Sequence, residues 1–517
     1  MNETIYNYSD VNLLYNNLSE LNENIKEIKS TLYKPNIDEK KKIQNIILNY
    51  IKDKKKKIYG GYALDKLLIN KNYNSFYNSY EIADIDFYSI DPNTDIIELC
   101  NIFYELGYKT NAREARHHNT YSIFVEYDLY CDITYAPKCV YNNIPCIQLD
   151  NFYYVNPNFM IIDYLKILTD PLSSYWRLDK AFERLYLLEK EYPLPKFTKP
   201  ININNTDSDN IIQNAINDIL NYLNDIEDIV IVGFYAYLYF LKLSKLYNKN
   251  KNLVEFSKKK YNEIPFIELI TKNFKEDSLK IINILQNKFN INYVEYYPFF
   301  TFTGNTVEIY IDSNLICIIY DYNNRTIPYI KNLNLKIGSF SQVLLNAQIN
   351  VIKYKMQNEE DLKYIYMLMV SHLIQMRKYY LKEHKKTIFD STPFKDFVLD
   401  FIKPDTNPDI ETHLKYEKRK ANNKPGIFIY DPSKIKKEEK VENFFFPNIS
   451  GNEIINNKRK KLNNINNIEN LDENIDNIDN IDNIDNIDNI DNIDNIDNID
   501  NIDNIANLDE NMDDNDE

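Results

Sequence analysis

The chain has 517 residues, enough for two to four folding units with sizeable cores. Its 61 Lys and Arg stand against 77 Asp and Glu, but no basic residue follows Leu462 while 19 acidic ones do, so the body sits near +3 and the tail at −19. Overall acidity therefore excludes no nucleic-acid partner. The five cysteines form no CxxC pair and no ladder with the five histidines, which argues against a zinc site or a disulfide framework. The longest apolar run, 229–241, is about 13 residues, short of the roughly 20 that span a bilayer. The opening Met1-Asn2-Glu3 has no signal-peptide character. These features predict a soluble, intracellular protein with no membrane partner.

In chain order, residues 1–57 read as a helical N-terminal cap, with Leu13, Leu14, Leu18, Leu21 and Ile25 and then Ile43, Ile46, Ile47 and Tyr50 at helical spacing. From Ile58 the pattern turns mixed. A glycine pair opens a helix at 62–68, followed by a strand at 82–89, a helix at 95–106, and strands at 121–127 and 129–135 joined tightly at Asp128. Helices follow at 157–168 and 173–191, broken at Asp170-Pro171, and the Pro- and Asn-rich stretch to Asn210 reads as a linker. The boundaries predicted are a catalytic unit at 58–195, a second unit at 211–390 and a poorly ordered extension at 404–517. The Ile-Asp-Asn triplets from Asn474 to Ile505 carry no aromatic residue and cannot build a core.

The second unit resembles the first. Ile58-Tyr59-Gly60-Gly61-Tyr62-Ala63 matches Ile231-Val232-Gly233-Phe234-Tyr235-Ala236, and the segment ending Asp84-Ile85-Asp86 matches the one ending Phe266-Ile267-Glu268. Asp128-Leu129-Tyr130-Cys131-Asp132-Ile133 likewise matches Asn314-Leu315-Ile316-Cys317-Ile318-Ile319. Order and approximate spacing persist, so a decayed duplication is expected.

The chemistry lies in the ordered set Gly60-Gly61, Asp84-Ile85-Asp86 and Asp132. Strand periodicity places Asp84 and Asp86 on one face. Adjacent carboxylates repel unless cations sit between them, and hard oxygen ligands suit Mg²⁺ or Mn²⁺. With Asp132 on a neighbouring strand, three carboxylates can hold two ions, which activate a 3′-hydroxyl and grip a leaving pyrophosphate. A helix N-terminus at the glycine pair offers free N–H groups to phosphates. Arg177, Lys180 and Arg184 fall at i, i+3 and i+7 on one helix, a stripe that either meets phosphates or is a solvated face. Arg113, Arg116, His117 and His118 lie between helix and strand, as an RNA- or nucleotide-facing loop or as plain surface.

The run Ile58 to Leu68, then Asp84-Ile85-Asp86-Phe87-Tyr88, then Cys131-Asp132-Ile133-Thr134-Tyr135 resembles the catalytic subunit of poly(A) polymerase from poxviruses and other large DNA viruses, most of all its mimivirus-like members. The resemblance implies an α+β fold: a polymerase-β-like nucleotidyltransferase domain with a helical cap, and a second, degenerate copy that is inactive. It further implies that Gly60 and Gly61 bind ATP phosphates and that Asp84, Asp86 and Asp132 ligate metal. A Tyr- and Asn-rich insertion at 71–80 departs from the family pattern over the triphosphate. The expected activity is template-independent addition of AMP from ATP to an RNA 3′ end, with a homodimer or a viral processivity subunit as partner. Transfer to tRNA or a small acceptor, and an inactive RNA-binding scaffold, are the competing readings.

Overall fold

In the computed structural model, residues 5–115, 119–194, 209–322 and 324–406 are described, with short stretches between 410 and 434, all in one unit. The linker 195–208, Arg116, His117 and His118, and the repeat tail lie outside the described residues.

Two helices come first, α1 (Tyr8–Leu32) and α2 (Ile37–Asp53), each opened by a capping box, Asn7 with Asp10 and Asn36 with Glu39. In the cap expected over 1–57, α1 meets the 71–80 insertion through Glu23, which accepts from Asn78 Nδ2 at 2.8 Å and from the Tyr80 hydroxyl, and α2 packs into the core. Its Ile43, Ile47, Tyr50 and Ile51 are buried, Tyr50 donates to Asp95 at 2.6 Å, and Lys40 pairs with Asp128 at 2.6 Å. No residue of α1 is buried, and Leu13, Leu14, Leu18, Leu21 and Ile25 are exposed. Helical spacing identified their face but could not say whether anything packs on it.

The first sheet contains β1 (Lys57–Tyr59), β2 (Ile85–Ser89), β3 (Thr110–Glu114), β4 (Thr120–Val125), β5 (Asp128–Tyr135), β6 (Cys146–Leu149) and β7 (Phe152–Val155). Between and after them run α3 (Gly60–Ile69), α4 (Pro92–Glu105), α5 (Lys138–Asn143), α6 (Pro157–Thr169), α7 (Pro171–Ser174) and α8 (Leu178–Glu191). Two differences from the sequence reading matter. Arg113 lies in β3, a strand rather than a loop, where it hydrogen-bonds into the ladder with β4. The helix expected over 173–191 is split: Pro171 starts α7, a 3₁₀ turn follows at Tyr175–Arg177, and α8 begins only at Leu178.

The second half contains α9 (Asp209–Leu223), β8 (Ile229–Val232), α10 (Gly233–Ser244), α11 (Val254–Lys258), β9 (Ile267–Thr271), α12 (Phe274–Gln286), β10 (Ile291–Tyr296), β11 (Thr306–Ile311) and β12 (Asn314–Asp321). It continues with β13 (Ile327–Asn332), β14 (Leu335–Gly338), α13 (Phe340–Met356), α14 (Glu360–Glu383) and β15 (Phe401–Ile402), and β16 (Ile429–Tyr430) returns to pair with β3. The strand orders are β16-β3-β4-β5-β2-β1-β7-β6 and β10-β11-β12-β9-β8-β14-β13-β15. Seven consecutive strands thus repeat one topology, down to a register shift in the same pair, at Ile123/Phe124 and at Ile309/Tyr310.

The halves are tied along α6. Gln348 on α13 donates to the Asn158 carbonyl at 3.0 Å, Thr326 donates to the Thr169 carbonyl at 2.9 Å, and Lys166 donates to the Thr301 carbonyl at 3.1 Å. Phe300 meets Tyr88 edge-on with centroids 5.6 Å apart, so a loop of the second half supports the functional face of the first sheet.

Candidate active site

The register across the first sheet lines up one row of side chains: Arg113 opposite Ser122, Ser122 opposite Asp132, Asp132 opposite Asp86, and Asp86 opposite Tyr59. Directly paired residues share a face, so these side chains form a polar band across the strands. Asp84, just before β2, adds its carboxylate. One ligand oxygen each from Asp84, Asp86 and Asp132 lies within 4.8 Å of the others. Ser122 donates to Asp132 Oδ1 at 2.6 Å and fixes that carboxylate.

Electrostatics agree with the geometry. Burial, then the charges of Asp84 and Asp132, push the Asp86 carboxyl well above the usual carboxylate range, while Arg177 and Arg184 pull it down. Three acids held this closely strain against one another as bare anions, and the donor set fits hard divalent cations. Tyr59 carries no charge here, since burial raises its hydroxyl far above normal. Its ring stacks on Tyr88 at 4.1 Å and its hydroxyl meets Thr134 Oγ1 at 2.7 Å, making a rigid floor beside Asp86.

Gly60 and Gly61 form the first turn of α3, whose leading N–H groups have no helical acceptor. The space left by their missing side chains is filled by protein. Gly60 has φ +71°, and a Cβ there would overlap the Asp86 carboxylate, with Cγ at 2.9 Å. A Cβ on Gly61 would lie 2.9 Å from Arg184 Nη1 and closer still to the Tyr77 hydroxyl. The glycines therefore let Asp86 and Arg184 approach the helix start. Arg184 belongs to α8, Lys180 precedes it by one turn, and Arg177 ends the 3₁₀ turn before that helix. Arg113 stands in the same row as the acids, three strands from Asp86 and on the order of 14 Å away at normal strand spacing. Its guanidinium lies over the Phe124 ring at 4.4 Å.

Sequence reasoning missed Ser122, Tyr59 and Tyr77, because strand register and loop path are not written in local spacing. It also missed Glu308. In the second sheet the matching row is Val294, Glu308, Ile318, Glu268 and Val232. Glu308 pairs with Lys353 at 3.3 Å, both buried. Glu268 is fully buried and accepts from Tyr366 at 2.8 Å, Tyr320 at 2.9 Å, Asn346 at 3.0 Å and Asn350 at 3.1 Å. Among the described residues, only Asp84, Asp86 and Asp132 group as candidate metal ligands.

A glycine-opened helix beside a cluster of three carboxylates on a mixed sheet is an arrangement suited to nucleotidyl transfer. Residues 45–174 match the family model of the poly(A) polymerase catalytic subunit, and residues 216–464 match that of the C-terminal part of the mimivirus (APMV) catalytic subunit. The chain is 32% identical over 491 residues to a protein of Acanthamoeba polyphaga mimivirus assigned as a poly(A) polymerase catalytic subunit, covering 88% of this chain and 84% of that protein. It is 29% identical over 157 residues to the corresponding protein of African swine fever virus, 29% of this chain and 33% of that one. The crystal structure of the Megavirus polyadenylate synthase superposes with TM-score 0.77 at 32% identity, covering 84% of this chain and 88% of that one. The chain belongs to the family of poly(A) polymerase catalytic subunits of large DNA viruses, and it is a polynucleotide adenylyltransferase with a mixed α+β fold whose second half repeats the strand order of the first.

Proposed function

We propose that the enzyme adds AMP from ATP to RNA 3′-hydroxyl ends without a template, in viral mRNA polyadenylation, with Asp84, Asp86 and Asp132 holding two Mg²⁺ or Mn²⁺ ions. The observation that carries this is the convergence of those carboxylates, with ligand oxygens within 4.8 Å of one another, beside the start of α3. Divalent cations bound there supply the charge that acidifies the attacking hydroxyl and neutralises the departing pyrophosphate. Ser122 orients Asp132, and the Tyr59–Tyr88 stack keeps Asp86 from turning away. The N–H groups of Gly60 and Gly61, with Lys180 and Arg184, face the nucleotide phosphates. Arg113 and Arg177 meet the RNA backbone. Arg116 belongs to the same reading by sequence. The second copy, its acids caged by Glu268's donors and by Lys353, holds no metal and forms one wall of the RNA path.

The intact acid trio weighs against an inactive scaffold, and two fused copies suit a polymer better than tRNA or a small acceptor. The exposed apolar residues of α1 suit a protein partner, a second copy of this chain or a viral processivity subunit. No described helix is long and apolar enough to cross a membrane, and the virion or the host cytoplasm fits the reading. Incubation with labelled RNA, Mg²⁺ or Mn²⁺ and each NTP separately tests substrate choice. Asp84→Asn or Asp86→Asn abolishes transfer while RNA binding persists, because ligation needs the charge and an amide keeps only the shape; substantial turnover in either variant sinks the two-metal assignment.

A further inference from the structure

The insertion at 71–80 reaches back to the start of α3, where the Tyr77 hydroxyl lies beside Gly61. Asp65, on α3 and nearly fully buried, anchors it: its Oδ1 accepts from Ser75 Oγ at 2.8 Å and from the Phe76 N–H at 3.1 Å. The anchor fixes Phe76 and Tyr77 against Arg184, whose guanidinium lies 4.9 Å from one ring centroid and 5.9 Å from the other. Arg184 donates to the Tyr77 hydroxyl at 3.2 Å. That hydroxyl lies where a Cβ of Gly61 would be, against the first turn of α3.

Arg184 is a cation with five donors. Among the described residues its side-chain hydrogen bond is to one neutral phenol, and the charges it feels are those of the Asp84 and Asp86 carboxylates, the candidate metal ligands. A largely enclosed guanidinium at the positive end of a helix gains most from an anion, and a planar fork suits a phosphate. Yet with Tyr77 in place no phosphate oxygen can approach Gly61 from that side. Burial keeps the Tyr77 hydroxyl neutral, so it satisfies Arg184 without matching its charge.

We propose that Tyr77 gates the triphosphate subsite: its hydroxyl holds the place of a phosphate oxygen between Gly61 and Arg184, and the incoming nucleoside triphosphate displaces it and takes over the guanidinium. The inference rests on the nucleotidyltransferase reading of the site. The gate explains why an insertion with no direct chemistry is tethered to α3. An empty site keeps Arg184 hydrogen-bonded and aligned, and only a ligand with enough negative charge to outcompete a phenol opens it.

The test is equilibrium binding of ATP·Mg²⁺ to the full chain without RNA, together with KM for ATP and for RNA, in wild type, Tyr77→Phe and Ser75→Ala. Tyr77→Phe keeps the ring under Arg184 but removes the competing hydroxyl, so the Kd and KM for ATP fall about 3- to 10-fold, the range of one net hydrogen bond. Inorganic tripolyphosphate tightens by the same factor, adenosine does not change, and KM for RNA stays put. Ser75→Ala loosens the tether and shifts ATP affinity the same way by less. A purely structural role would instead weaken ATP binding. Unchanged or weaker binding of ATP and tripolyphosphate in Tyr77→Phe overturns the gate, whereas turnover by Asp86→Asn would overturn the site reading itself.

Discussion

Replacing the same glycine by alanine in each copy separates chemistry from stability. Gly60 and Gly233 both open a helix after an inner strand, with φ +71° and +57°. Alanine in that left-handed region costs about 1–2 kcal/mol at either site. What the new methyl meets differs. At Gly60 it overlaps the Asp86 carboxylate, with Cγ at 2.9 Å; at Gly233 it overlaps Glu268, with Cγ at 2.8 Å. Each carboxylate must retreat by roughly 1.5 Å to reach ordinary contact distance. For Asp86 a shift of that size in reacting geometry costs on the order of 100-fold in rate, or about 2.7 kcal/mol of barrier. For Glu268 the loss is structural: its four hydrogen bonds, 2.8–3.1 Å long, each contribute about 0.5–1.5 kcal/mol net. With the backbone strain, Gly233→Ala is destabilised by roughly 3–8 kcal/mol, a fall in Tm on the order of 10 °C. Thermal melts and initial rates of AMP incorporation, taken well below both midpoints, give the pattern: Gly60→Ala loses activity out of proportion to its Tm, and Gly233→Ala loses Tm out of proportion to its activity. Near wild-type turnover by Gly60→Ala would refute the placement of Asp86, and a dead but stable Gly233→Ala would refute the division of labour.

Glu268→Gln leaves polymerisation within a few-fold of wild type, about 1 kcal/mol or less, because the amide can still accept from the asparagines while its NH₂ faces the Tyr366 oxygen; a hundredfold loss measured in the same rate assay would give the second copy a part in catalysis. Deleting residues from Asn474 onward leaves Tm unchanged, since the Ile-Asp-Asn repeat has nothing with which to build a core, and leaves RNA affinity equal or higher as negative charge is removed; a clear drop in Tm would show that the repeat packs. Lys166 is half-buried, and loss of solvent around it, aided by the Arg325 charge, lowers its ammonium to about 8. The unfolded chain therefore takes up this proton at higher pH than the folded one, so stability linked to Lys166 is present above the ordinary lysine range and is lost as pH falls toward 8. Denaturant titrations of wild type and Lys166→Met should show wild type gaining on the variant between about pH 8 and 10.5; a constant difference would place the ammonium in a wetter setting.

Residue order alone pointed to a set of side chains that the fold brings together. Gly60-Gly61, Asp84-Ile85-Asp86 and Asp132 were legible because two-residue strand periodicity and helix-start chemistry act over a few residues, where spacing is geometry. The duplication was legible for the same reason: Gly233, Phe266, Glu268 and Ile318 keep their places in the strand pattern, and the structure pairs Ile318 with Glu268 as it pairs Asp132 with Asp86. Tertiary structure decided whatever depends on partners distant in sequence. The register of β4 on β5 sets Ser122 on Asp132, and the return of β11 sets Glu308 in a row where Lys353 neutralises it. The amphipathic pattern of α1 matched that of a packed helix, but burial is a property of what lies opposite, and nothing covers that face among the described residues. The glycines show the division most sharply. Sequence marked them as a helix start with free N–H groups for phosphates; only the fold decided that the space beside them is filled by Asp86 at Gly60 and by Tyr77 and Arg184 at Gly61, because those atoms arrive from a neighbouring strand, an inserted loop and a helix more than a hundred residues away.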